Sequence, residues 1–188
     1  MAKLVFSYSH ADEELRNELE KHLMPLKRLG LIDTWHDRRI TAGAELHGEI
    51  NHHFEDCNII LLLVSPDFIN SDYCYDVEVK HALERHAKGE ARVIPVILKT
   101  CDWHDLPFGN LMATPEDGYP IAKFTYLEDG FYQVVQEIKK ILKELGAVSH
   151  SDAQVEGINN FVPPTAHSTQ RSSNLAIRKK FSDRDKDI

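Results

Sequence analysis

The stretch Asn58–Ser65, NIILLLVS, decides the fold. It holds six consecutive apolar residues, Ile59–Val64, followed by Ser65 and Pro66. A strand with one face in water alternates apolar and polar residues, whereas an unbroken apolar run indicates a strand buried on both faces. The sequence therefore predicts a central strand of a parallel sheet covered by helices.

Strand-like and helix-like segments alternate on both sides of this run. The strand-like ones are KLVFSY (3–8), GLIDTWHD (30–37), RVIPVILK (92–99) and a weak fifth, IAKFTY (121–126). Helices are expected after the first strand, where Ser9 and Asp12 have capping-box spacing and Pro25 would end or kink the helix, from about Asp72 to Ala87, and over 130–146. Pro95 suggests that its strand lies at an edge or a bulge. This order predicts a doubly wound, mostly parallel α/β sheet.

Composition narrows the class of protein. The 188 residues carry 22 Lys and Arg against 30 Asp and Glu, a net charge of −8, which argues against binding nucleic acid by covering phosphates. Three widely spaced cysteines, no signal peptide and no apolar run of about 18 residues predict a cytoplasmic protein that does not span the membrane. We expect a domain over 1–147, a polar linker or disordered segment over 148–175, and the start of a truncated or helical element over 176–188.

The candidate site follows from the predicted sheet. Ligands of such sheets bind at the carboxyl ends of the strands, which here lead into SYSHAD, WHDRR, SPDF and CDWHD. Two of these turns carry the tryptophans of the chain, Trp35 and Trp103, so a ligand with a flat ring and hydroxyls, such as a nucleotide, would fit, although polar loop ends are also ordinary. Glycine-rich phosphate loops and the nucleophile elbow of hydrolases are missing from the sequence. A zinc site needs two pairs of ligands, and neither His53 with Cys57 nor Cys101 with His104 has a matching second pair.

Glu78 is a carboxylate without a helper on its predicted helix. Asp76 is two residues away, roughly 200° around a helix axis, so the two cannot act as an acid/base pair. On the helical wheel Glu78 shares a polar-aromatic strip, rather than a core face, with Cys74, Tyr75, His81 and Ala82. Without other information, a solvated surface glutamate is the simpler interpretation.

Several ordered motifs resemble a bacterial Toll/interleukin-1 receptor (TIR) domain. They are LVFSYSHAD, DTWHDRRITAGAE, IILLLVSPDFINSDYC with Glu78, and RVIPVIL, and the likeness covers about residues 1–145. The resemblance implies a flavodoxin-like sheet of about five strands, in the order 2-1-3-4-5, with helices on both faces. It also implies one of two functions. Many members are enzymes that cleave NAD⁺ between nicotinamide and ribose. Some of these enzymes act in bacterial signalling against phage and are activated by self-assembly, while other members only assemble and do not turn over NAD⁺.

The resemblance makes Glu78 the catalytic carboxylate. Family members usually read Trp-Cys-x-x-Glu, whereas this chain has Tyr73, Cys74 and three further residues before the glutamate. We expect the extra residue to move into the loop before the helix, with Asp76 as the competing acid if it does not. A single carboxylate suits the reaction, because nicotinamide leaves as a neutral amine and the ribose becomes an oxocarbenium ion, whereas glycosidases need a second acid for their leaving alkoxide.

The remaining site residues are carried over from the resemblance by position. The substrate-binding residues it implies are Phe6, Ser7, His10, Trp35, Asp37, Arg38, Arg39, Ser65, Asp67 and Tyr73. The main hypothesis is a cytoplasmic NAD⁺ glycohydrolase or cyclase that takes NAD⁺ as substrate, uses no cofactor or metal, and forms homo-oligomers.

Two alternatives stay open. A non-catalytic scaffold is favoured by the shifted glutamate. A phosphorylation-dependent receiver domain would need Asp12, Asp67 and Lys123 to lie together.

Overall fold

The sheet has four parallel strands. The computed structural model describes residues 1–36, 52–71 and 74–146. Its strands are β1 Ala2–Ser7, β2 Ile32–Trp35, β3 Ile59–Val64 and β4 Arg92–Ile97. They lie in the order β2-β1-β3-β4, and every neighbouring pair is parallel. This order, with its reversal between β1 and β3, confirms the flavodoxin-like α/β fold.

Among the described residues, four helices with defined bounds connect the strands or follow them. They are α1 Glu13–Arg28, α2 Pro66–Ile69, α3 Lys80–Ala87 and α4 Leu127–Glu144. Residues 52–56 are also helical, and a π-helical turn, Cys74–Val79, leads directly into α3. Within the described residues, no helix has both the length and the apolar character needed to cross a membrane.

The core lies on both faces of the sheet, as the apolar run of β3 predicts. Ile59, Leu61 and Leu63 pack on the face covered by α1 and α4, while Ile60, Leu62 and Val64 pack on the face covered by residues 52–56 and α3. All six are fully buried, and burying each such side chain is worth about 1.5–3 kcal/mol. The same alternation in β1 sends Phe6 to the first face and Val5 to the second. Ser7, two residues after Val5, therefore points to the α3 side.

The fifth strand predicted from the sequence is absent from the described residues, whereas β4, which contains Pro95, lies at the edge of the sheet as predicted. The segment expected as a fifth strand forms a 3₁₀ turn, Ile121–Lys123, because Pro120 precedes it and the Ala122 N–H donates to Leu98 O at 2.9 Å. Next to β4, the edge strand that contains Pro95, the described structure has an isolated bridge from Val96 to Thr114 instead.

The helix predictions were right in outline and wrong at particular positions. Helix α1 runs through Pro25 and ends at Arg28, so the proline does not end it. The helix expected over 130–146 is α4, which ends at Glu144, and Leu145 directly after it is exposed. Gly146 has φ +72°, the left-handed conformation expected of a helix C-cap. The predicted segments 148–175 and 176–188 lie outside the described residues.

Candidate functional site

The carboxyl edge of the sheet, where β1, β2, β3 and β4 end at Ser7, Trp35, Val64 and Ile97, is the candidate site. Because all four strands are parallel, their ends meet at the same edge. The chain order reverses between β1 and β3, and ligands of doubly wound sheets bind at such a reversal. Side chains near the ends of β1 and β3 are therefore the ones to compare.

Glu78 lies at this reversal and is buried. Its side chain comes from the π-helical turn and is 8% exposed, and the Ser7 hydroxyl donates to Glu78 Oε2 at 2.5 Å. The interpretation of Glu78 as a solvated surface glutamate is therefore wrong. The expectation that the strip shared with Glu78 lies away from the core is wrong as well, since Ala82, one of its members, is fully buried.

The π-helical turn explains how a glutamate one residue late still reaches β1. A π turn closes each hydrogen bond over five residues instead of four, so it contains one residue more than an α turn between the same two ends. The turn spans Cys74–Val79, and the regular helix starts at Lys80. Such a turn can accommodate the extra residue inside the helical segment. Residues 72–73 of the preceding loop lie outside the described residues, so the expectation that the residue moves into that loop stays a prediction. The Asp76 side chain lies outside the described part of the structure.

A second polar cluster, Asp12 with Ser65, Asp67 and Lys99, ties together the loops after β1, β3 and β4. Ser65 Oγ donates to Asp12 Oδ2, and Lys99 Nζ lies 2.7 Å from Asp12 Oδ1 and 3.0 Å from Asp67 Oδ2. The hydrogen bond to Asp12, and to a smaller extent the one to Asp67, raise the pKa of the Lys99 ammonium above its ordinary value. We call these four residues the Asp12 cluster.

The Asp12 cluster corrects two predictions. Asp12 makes no side-chain capping bond, because its carboxylate is engaged with Ser65 and Lys99; only Ser9 caps, by accepting from the Ala11 N–H at 3.4 Å. The lysine that joins Asp12 and Asp67 is Lys99, whereas Lys123 is an exposed residue of a 3₁₀ turn. Sequence reasoning missed Lys99, although its place as the last residue of a predicted strand, at the carboxyl edge, was a usable signal.

A model of the family "TIR domain" matches residues 5–131 of the chain, which include Ser7, the Asp12 cluster and Glu78. The chain belongs to the TIR domain family. An uncharacterized protein of Sinorhizobium fredii, y4lF, is 48% identical over 190 residues; the match covers all of this chain and 59% of the length of that relative.

Two solved TIR structures are similar to the chain. One is the TIR domain of the Toll-related receptor TRR-2 from Hydra magnipapillata, with 20% identity, 76% of this chain and 99% of that chain covered, and a TM-score of 0.49. The other contains the TIR domains of the activated Roq1 resistosome that recognises the effector XopQ, with 17% identity, 78% and 81% coverage, and a TM-score of 0.44.

The other residues implied by the TIR resemblance are placed differently from one another. Phe6 is 2% exposed and packs in the core with α1 and α4, so its ring is not presented at the carboxyl edge. His10 is exposed on the 3₁₀ turn before α1, with its ring 5.9 Å from that of Tyr8. Trp35 is half-buried and stacks on His53 with ring centroids 4.1 Å apart. Asp37, Arg38, Arg39 and Tyr73 lie outside the described residues.

The second tryptophan does not offer a face to a ligand in the way the sequence suggested. Trp103 is 6% exposed, belongs to the core on the α3 side, and stacks on His104 at 4.1 Å. Gly118 approaches it so closely that a Cβ there would lie 2.6 Å from Trp103 Cζ2. Trp103 is therefore a packing residue of the loop after β4.

Proposed function

We propose that this TIR domain is an NAD⁺ nucleosidase that cleaves the bond between nicotinamide and ribose. The products would be nicotinamide and either ADP-ribose or a cyclic isomer of it. The observation that carries the proposal is the Glu78 carboxylate, buried at the reversal of the sheet and hydrogen-bonded to Ser7 at the end of β1. Family membership supports the same choice, since enzymes of this class are common among TIR domains.

The chemistry needs one carboxylate and no general acid. The nicotinamide of NAD⁺ is a cationic pyridinium, so it leaves as a neutral amine and takes the bonding electron pair with it. Positive charge then develops on the ribose, and an ionised carboxylate held close to the sugar stabilises that charge in the transition state. The anomeric carbon is then attacked by water, which loses a proton and gives ADP-ribose, or by a nucleophilic atom of the same molecule, which gives a cyclic isomer. The interaction of the carboxylate with the charged ribose is stronger in a site shielded from water than at the surface, so the burial of Glu78 favours the role.

The feature that favoured a non-catalytic scaffold no longer argues against catalysis. That feature was the one-residue shift of the glutamate, which would have mattered if the carboxylate had been rotated towards solvent. The π-helical turn Cys74–Val79 can accommodate the extra residue, and the carboxylate contacts Ser7. Self-association is compatible with both functions, and we expect it to activate the enzyme, as in family members that signal against phage.

The test is to incubate the purified full chain with NAD⁺ over a wide range of protein concentrations. Chromatography with mass detection would follow nicotinamide and identify the ribosyl product. We expect nicotinamide release whose rate per molecule rises with protein concentration. If NAD⁺ stays intact even where sedimentation shows the chain to be assembled, the domain is a scaffold and the proposal is wrong.

A further inference from the structure

Ser7 occupies a position where a polar side chain is unfavourable on its own. It is fully buried at the end of β1 and points to the α3 side of the sheet, while its chain neighbours Phe6 and Tyr8 pack on the opposite face. Its register partner on β3 is Leu62. A hydroxyl in such surroundings destabilises the fold unless it forms a hydrogen bond. The bond it does form leads to Glu78.

The Ser7 hydroxyl donates to Glu78 Oε2, and both side chains are buried. Bonds from a hydroxyl to a carboxylate belong to the charge-assisted kind, which is about twice as strong as a bond between neutral groups. A serine hydroxyl has a single hydrogen, so its donor is committed to Glu78 and is not available to a sugar hydroxyl. The two bonded residues lie on different backbone elements. Ser7 belongs to a strand inside the sheet, whereas Glu78 belongs to a π-helical turn.

Resting on the proposed function, we infer that Ser7 is a positioning residue. It acts through Glu78, by fixing one carboxylate oxygen against the end of β1, rather than by touching the substrate. Small displacements of a reacting group are expensive: a misplacement of about 1 Å lowers rates about 100-fold. Loss of the hydroxyl should therefore affect turnover more than substrate binding.

The first test compares Ser7→Ala with Ser7→Thr. We expect Ser7→Ala to lower kcat by about 10- to 100-fold with KM changed less than about threefold, because the carboxylate is still present but no longer held. Ser7→Thr keeps a hydroxyl and should recover most of the lost kcat. Thr125→Ala is the control, since it removes a hydroxyl at an exposed position outside the four strand-end turns, and its kcat should equal that of the unmodified chain. A Ser7→Ala protein with normal kcat, or with a raised KM and normal kcat, would overturn the inference.

The second test needs no activity and so separates this inference from the proposed function. Melting temperatures of Ser7→Ala, Glu78→Ala and the double variant form a cycle that isolates the interaction of the two side chains. We expect Ser7→Ala to lower the melting temperature by about 3–12 °C in the unmodified chain and by less than half as much in the Glu78→Ala background. Equal shifts in the two backgrounds would reject the bond even if the chain cleaves NAD⁺. A strong coupling in a chain that leaves NAD⁺ intact would instead reject only the proposed function.

Discussion

Replacing Lys99 with methionine removes the cation of the Asp12 cluster while keeping the length of the side chain. The Asp12 side chain has no exposed area, and its Oδ1 lies 2.7 Å from Lys99 Nζ. Ser65 also donates to this carboxylate, but a hydroxyl carries no charge. The variant therefore leaves a negative charge buried between the loops after β1 and β3.

The magnitude follows from the burial of the two partners. Removing one partner of a buried ion pair costs about 3–5 kcal/mol, because the other charge stays buried and uncompensated. The Lys99 side chain is 36% exposed, so water screens part of the interaction, and we expect the lower end, about 3 kcal/mol. For a domain of this size that lowers the melting temperature by about 6–12 °C.

The loss should also depend on pH in a defined direction. Hydrogen bonds to Asp12 and then Asp67 raise the pKa of Lys99 above its ordinary value of 10.5. A group whose folded pKa is raised contributes its full stabilisation below the unfolded pKa and loses it as the pH rises through the folded pKa. The gap in melting temperature between the unmodified chain and Lys99→Met should therefore be constant from about pH 7 to pH 9 and narrow above about pH 10.5.

Differential scanning calorimetry with a matched control tests this account. Lys140→Met removes an exposed pair, in which Lys140 Nζ lies 2.5 Å from Glu137 Oε1 and the two side chains are 67% and 41% exposed. Surface pairs of this kind are worth about 0–1 kcal/mol. Adding Asp12→Asn to Lys99→Met removes the buried charge and should restore part of the stability. Equal shifts for Lys99→Met and Lys140→Met would refute the reasoning.

Two further predictions concern the backbone. Deleting Val77, which is 47% exposed, should convert the π-helical turn to an α turn and preserve nicotinamide release. Deleting the exposed Lys80 instead shortens the spacing from the π-helical turn to the buried part of α3 and should abolish release. Loss of activity in both folded variants would contradict the role of the turn. Gly118→Ala should lower the free energy of unfolding, measured in urea, by about 2–4 kcal/mol, because of its φ of +68° and the clash of a Cβ with Trp103. Gly30→Ala, with φ +67° and open space around the Cβ, should lower it by only about 1 kcal/mol, and equal losses in the two variants would exclude the clash.

Sequence patterns predicted the parts of the fold that depend on burial. The apolar run of β3 and the alternation of strand-like and helix-like segments predicted a parallel sheet covered on both faces, and the TIR resemblance implied the order of its strands. The errors arose where tertiary contacts replace a local preference. Pro25 is tolerated inside α1, and 121–126 forms no strand because its backbone bonds to Leu98 within a turn.

The candidate site was harder to predict for the same reason. Glu78 could be singled out from its position after the central strand, but its burial depends on a π-helical turn that no periodicity of 3.6 residues indicates. Asp12 resembled a helix-capping residue because capping is a local pattern, whereas its partners Ser65 and Lys99 are distant in sequence. Long-range pairs of this kind become visible only when the strand ends are placed side by side.

Nicotinamide release by Glu78→Gln protein tests the central claim most directly. The exchange removes the charge but keeps the shape of the side chain, and Glu84→Gln, at an exposed position of α3, makes the same exchange as a control. At a protein concentration where the unmodified chain cleaves NAD⁺, we expect Glu84→Gln to match it and Glu78→Gln to show no release above the uncatalysed rate. Folded Glu78→Gln protein that releases nicotinamide at the unmodified rate would contradict the claim that this carboxylate stabilises the charged ribose.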